Sequence, residues 1–130
     1  MKQKVKDEKI YFWIGLFLLG FLWQSFAGQN SVAWLTTTAY NFGQIPQHQI
    51  QSHRFYFKNN SPESISIDNV RTTCGCTASE WEDKAILPDS TGFIHITYDA
   101  KQIGAFKKRI KVFFVHQRAP ETLLVEGLVQ

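Results

Sequence analysis

Helical periodicity is missing from this sequence after its first 27 residues; no stretch keeps a 3.6-residue repeat over ten positions. Strands must therefore build whatever folds. Methionine is confined to Met1 and cysteine to two positions, Cys74 and Cys76. With no third cysteine, histidine would have to complete any zinc shell, and a copper carrier's thioether ligands are absent. No glycine-rich phosphate loop is present, and no serine stands in a nucleophile-elbow sequence. Net charge is also small. Two units of the formal +3 come from the N-terminal end, because residues 28–130 hold ten Lys and Arg against nine Asp and Glu. That balance gives no long-range attraction for nucleic acid.

What is present begins with a basic start, Lys2, Lys4, Lys6 and Lys9 against Asp7 and Glu8. Ile10 to Trp23 then contains only Gly15 and Gly20 besides apolar and aromatic types. Ser25-Phe26-Ala27 before Gly28 fits a small-x-small cleavage site, with Ser31-Val32-Ala33 as a second candidate. Basic region, short apolar run and small-residue site together read as a secretory signal over residues 1–27. The alternative is an uncleaved membrane-anchor helix. An apolar helix of that length reaches about 21 Å, short of a hydrocarbon core of about 30 Å. No cysteine follows the run, which excludes a lipidated N-terminus. The expected location is outside the cytoplasm, in the periplasm or at the cell surface, with membrane contact only through an uncleaved N-terminal segment. Residues 28–33 read as a short linker and residues 34–129 as one domain, about the size a single core supports.

Inside that domain the period is two. Trp34 to Tyr40 reads as a strand ending at an Asn41-Phe42-Gly43 turn. Ser52 to Asn59 puts His53, Phe55 and Phe57 on one face. Ser64 to Arg71 turns Ile65 and Ile67 inward, and Val70 falls out of phase, which predicts a bulge near Asp68-Asn69. Leu87-Pro88-Asp89-Ser90 is a turn. Ile94, Ile96 and Tyr98 share a face in the next run, as do Ile110, Val112 and Phe114, and then Leu123, Val125 and Val129. Six or seven short strands divided by turn residues predict an all-β, antiparallel β-sandwich. Asn59-Asn60-Ser61 matches a glycosylation triplet, common by chance and followed here by Pro62.

The order Asn41-Phe42-Gly43, Phe55-x-Phe57-x-Asn59, Val70-Arg71-Thr72-Thr73-Cys74-Gly75-Cys76-Thr77, Trp81, Ile86-x-Pro88, Ile94-x-Ile96-x-Tyr98, Gly104-x-Phe106 and Val125-x-Gly127-x-Val129 resembles the bacterial domain-of-unknown-function family numbered 1573. The resemblance covers about residues 36–129, and its Cys-Gly-Cys-Thr core is the specific part. It implies an exported, immunoglobulin-like sandwich of about seven strands and no established activity. Pro88-Asp89 departs from the family's usual Pro-Gly, and Asp also favours turns.

The chemistry centres on Cys74 and Cys76. In a regular strand their Cα atoms would lie about 6.6 Å apart, against about 5.5 Å in a disulfide. A bridge therefore needs a turn, and Gly75, free to take positive φ, is the expected turn residue. A bond closed over so small a ring should be more reducible than a structural one. The residues leave three uses open: a structural turn or disulfide, a redox pair, and a metal-thiolate site. Arg71 could lower a thiol pKa, whereas Glu80, Glu82 and Asp83 oppose it.

The histidines read as non-catalytic. His95 projects from the polar face, His48 lies in a loop, His116 ends a strand, and His53 sits on the inner face or at its rim. The carboxylates around Trp81 read as an exposed loop, and Lys107, Arg109 and Lys111 as a solvated outer stripe beside Lys108. No catalytic, cofactor or metal residue is assigned. The functional expectation is a non-catalytic binding or assembly module of the cell envelope with protein partners. The alternative is a thiol-redox or metal-handling protein built on Cys74 and Cys76.

Overall fold

Alternating apolar residues can be buried only if a second surface covers each strand's inner face, and here two sheets cover one another. The computed structural model describes residues 30–130; the segment expected to be a signal or anchor, residues 1–27, lies outside them. Eight strands follow in order: β1 Val32–Trp34, β2 Ala39–Ile45, β3 Gln51–Asn59, β4 Ile67–Thr72, β5 Thr77–Trp81, β6 Thr91–Tyr98, β7 Gly104–Phe114 and β8 Glu121–Val129. One sheet has the order β1-β3-β6-β5 and the other β2-β8-β7-β4. Among the described residues no helix is long and apolar enough to cross a membrane.

The inner faces follow the sequence pattern. Phe55 and Phe57 of β3, Ile94 and Ile96 of β6, Ile110 and Val112 of β7, and Leu123 and Val125 of β8 are fully enclosed. Phe57 meets Phe114 edge-on at 5.2 Å, joining the sheets through the core. Such a pair adds about 1 kcal/mol beyond its buried area. A second cluster of Ile45, Tyr98, Ala100, Phe106 and Val129 fills one end, where Tyr98 stacks on Phe106 at 3.9 Å.

Several expectations change. The run from Trp34 to Tyr40 is not one strand: β1 pairs with β3 and β2 with β8, so the chain changes sheets between them. Val32 and Ala33, read as linker, pair with Asn59 and Lys58. Asn41 to Gly43 is a bulge inside β2, with Gly43 at φ 70°, rather than a turn. β2 lies parallel to β8, so the sandwich has eight strands and one parallel pair. The stretch from Thr77 to Trp81 is a strand paired with β6, and Trp81 packs on the core from its edge. The bulge at Asp68 is where the sequence places it, since the register of β4 on β7 shifts between Ile67 and Asn69.

Asn59, the first residue of the glycosylation triplet, is fully buried. Its amide donates to the carbonyls of Glu63 at 2.7 Å and Ile86 at 2.9 Å, and its oxygen accepts from the backbone N–H and hydroxyl of Ser61. A side chain so enclosed ties loop to core and offers nothing to a glycan.

Candidate functional site at the Cys74–Cys76 turn

β4 and β5 are edge strands of opposite sheets, and Thr73 to Cys76 carry the chain from one to the other. The Cys-Gly-Cys therefore sits at a corner of the sandwich. The N–H of Thr77 donates to the carbonyl of Cys74 at 3.4 Å, closing a four-residue turn. The Thr72 hydroxyl lies 3.2 Å from the carbonyls of both Cys74 and Thr77, and the Asp99 N–H donates to the carbonyl of Cys76 at 3.1 Å. Backbone and threonine bonds thus hold the turn without help from sulfur.

The two cysteines are joined as a disulfide, with Cα atoms 5.4 Å apart, inside the usual range. Gly75 does not achieve this as expected. Its φ is not in the left-handed region, where Gly43 and Gly104 are found, and a Cβ at Gly75 would meet open space. The turn draws the Cα atoms together with ordinary backbone angles. Gly75 is exposed, the two cysteines are half-buried, and Thr77 is buried with its Oγ1 4.0 Å from each sulfur. Cys76 packs against the Tyr98 and Phe106 cluster; Cys74 does not.

A cavity of about 390 Å³ opens beside the bridge, bounded by the turn and by Tyr98, Asp99, Lys101 and Lys108. Burial, and then the Asp99 carboxylate, push the Tyr98 phenol above its ordinary pKa. Asp99 pairs with Lys101 at 3.6 Å. Lys108 is the residue that the sequence reading passed over. It stands in phase with the buried Phe106 and Ile110, opposite the buried Val125, and is half-buried on the inner side of β7. Thr72, the last residue of β4, lies opposite Ile110, and the cavity beyond that pair is bounded by both Cys74 and Lys108. A lysine in the inward phase of a strand was the available signal.

The other candidates do not converge here. Arg71 lies over the Phe113 ring at 5.2 Å and does not line the cavity. His95 faces Glu80 at 3.8 Å. His48 and His116 occupy left-handed turn positions, both at φ 67°. His53 stacks between aromatic rings. Lys107, Arg109 and Lys111 point outward into solvent. Among the described residues no group of three His, Cys, Asp or Glu side chains is placed to hold a metal ion.

Two four-stranded sheets packed face to face, with the chain crossing between them at its edges, define an immunoglobulin-like sandwich. Over residues 34–129 the chain belongs to the family described as "Protein of unknown function (DUF1573)". No protein of curated function matches the sequence. Among solved structures, a protein of unknown function from Porphyromonas gingivalis W83 is similar, with a TM-score of 0.64 at 13% identity over 80% of this chain. The chain spans 51% of that protein's length. The ASH/PapD-like domain 7 of human CEP192 gives 0.61 at 8% identity, covering 77% of this chain and 85% of that domain. WR4, a C. elegans MSP family member, gives 0.51 at 8% identity, covering 78% and 100% respectively. At these identities the likeness concerns the fold alone.

Proposed function

We propose that the protein is an exported, non-catalytic binding or assembly module of the bacterial cell envelope that engages a protein partner by strand addition. The open edge of β5 carries this reading. An unpaired edge attracts another strand unless it is short, bulged or covered. β1 is three residues long, and both β2 and β4 are bulged. β5 pairs with β6 in unbroken register from Thr77↔Tyr98 to Trp81↔Ile94. A groove bounded by Asp68 of β4 and by Ser79, Glu80 and Trp81 runs beside it. An extended peptide laid there would gain main-chain hydrogen bonds from β5 and an aromatic contact from Trp81.

The test is a pull-down from the native envelope with the tagged full-length chain, followed by hydrogen exchange on the captured complex. A stoichiometric protein partner that slows amide exchange along β5 supports the reading. A partner that leaves β5 exchange unchanged overturns it.

A further inference from the structure

We infer that the Cys74–Cys76 bridge is a dithiol–disulfide exchange site, with Lys108 as its positioning cation. This is independent of strand addition at β5.

The bridge is mechanically redundant. Three sets of hydrogen bonds, from Thr72, Thr77 and Asp99, already define the turn. A loop with a single residue between its cysteines removes little entropy from the unfolded chain. A disulfide that staples so little, in so small a ring and at an accessible corner, is of the labile kind rather than the structural kind. The cavity beside it has room for an incoming cysteine side chain.

Thiol exchange also needs a place for negative charge, because the attacking and leaving species are thiolates. The charged and titratable groups around the cavity are Tyr98, Asp99, Lys101 and Lys108. Asp99 and Lys101 offset one another at 3.6 Å. Among the described residues Lys108 has no carboxylate within salt-bridge distance, so its ammonium leaves the cavity net positive.

The step balances with a dithiol as reductant. One thiolate of the dithiol enters the cavity and bonds to Sγ of Cys74, the sulfur not packed on the aromatic cluster. The S–S bond breaks and its electron pair leaves on Sγ of Cys76, beside the Thr77 hydroxyl and in the field of Lys108, where it takes a proton. The dithiol's second thiolate then attacks its own sulfur in the mixed disulfide, and Cys74 departs and is protonated. Two electrons and two protons pass to the pair, and the dithiol becomes a disulfide.

The test uses the full-length oxidised chain with two probes, a reduced peptide carrying two cysteines separated by two glycines, and reduced glutathione. Thiols are counted by alkylation and mass spectrometry. Equimolar peptide is expected to reduce the pair while becoming oxidised itself. Faster reaction with the peptide than with glutathione at equal thiol assigns the site to protein dithiols; the reverse order assigns it to small thiols and overturns the dithiol reading. With oxidised glutathione, which leaves no tethered thiol to resolve the product, Cys76→Ser is expected to accumulate a mixed disulfide on Cys74, and Cys74→Ser to accumulate much less. Lys108→Met should raise the pH midpoint of thiol alkylation in the reduced chain and slow exchange about threefold at neutral pH, as a rate sensitivity of about half a decade per unit of thiol pKa implies, and Lys108→Arg should restore both. A bridge that stays oxidised in excess peptide overturns the proposal. So do equal trapping by the two serine variants and a Lys108→Met profile superimposable on wild type.

Discussion

Tyr40 lies flat on His53, with ring centroids 3.7 Å apart and planes 10° from parallel. The two belong to opposite sheets, so the stack closes one margin of the sandwich, and Phe55 meets the imidazole edge-on from the core side at 4.7 Å. The His53 Nε2 is buried there with no hydrogen-bond partner. Desolvation lowers the His53 pKa below its ordinary value. The folded state therefore favours the neutral ring, and the unfolded chain binds a proton more readily. Stability should be fully present above the unfolded histidine pKa of about 6.5 and fall as pH drops through the lower folded value. Urea melts between pH 8 and 5 should show that slope. His53→Phe should flatten it, and should raise stability by about 1 kcal/mol at pH 8 by removing a buried unsatisfied nitrogen while keeping the stack.

Gly92 and Gly75 should respond oppositely to a methyl group. A Cβ at Gly92 would stand 2.5 Å from Phe57 and 2.8 Å from Ile86, both in the core. Gly92→Ala should cost about 1–3 kcal/mol by overpacking. Gly75→Ala meets open space at an ordinary φ, and its denaturant midpoint should match wild type within error. By the same geometry Gly75→Val should leave disulfide closure intact, whereas Thr77→Val removes a buried hydroxyl that contacts both sulfurs. Thiol counts on the two valine variants check this.

Removing the bridge should be nearly silent in stability. For so short a loop the chain-entropy model allows at most about 1.5 kcal/mol, against about 3 kcal/mol for a 15-residue loop. A Cys74→Ser/Cys76→Ser chain should keep its near-ultraviolet dichroism and melt no more than about 10 °C below the oxidised protein. A collapse on reduction would make the pair a structural staple.

Asn59→Ala should be the costliest of the polar substitutions. It takes the acceptor from the Ser61 N–H and hydroxyl and one donor each from the carbonyls of Glu63 and Ile86, which keep the Ser61 hydroxyl and the Ile65 N–H as partners. A loss of about 2 kcal/mol follows from the lost hydrogen bonds at about 0.5–1.5 kcal/mol each, partly replaced by water. Asn59→Asp should cost at least as much, because it adds a buried charge while replacing the amide donor with an acceptor.

The strand interiors were legible because burial writes itself in period two. Phe55 and Phe57, Ile94 and Ile96, and Ile110 and Val112 carry the inner faces that alternation assigns them. The sheet change after Trp34 was not, since an alternating run looks the same whether or not the chain has crossed to the opposite layer. β5 was hidden by Glu80, Glu82 and Asp83: an edge strand with one solvated face resembles an acidic loop. At the candidate site the cysteines and their position after β4 could be read directly. Lys108 could not be placed beside them without the cavity that they line together, which is a tertiary fact.

The parallel pairing of β2 with β8 also sets the order of assembly. Ala39 lies beside Leu124 and Ile45 beside Val129, so early and late segments of the domain meet side by side. β8 is also an inner strand of its sheet, with β2 on one flank and β7 on the other, and it brings Leu123, Val125 and Val129 into the core. Nothing that emerges earlier from a ribosome or a translocation pore can complete that sheet. Until its last nine residues arrive, β2 has no neighbour and β7 has one bare edge. Such a long-range closure favours slow folding. It also makes β8 the segment whose loss, by truncation or proteolysis, would unmake the whole domain rather than fray one end.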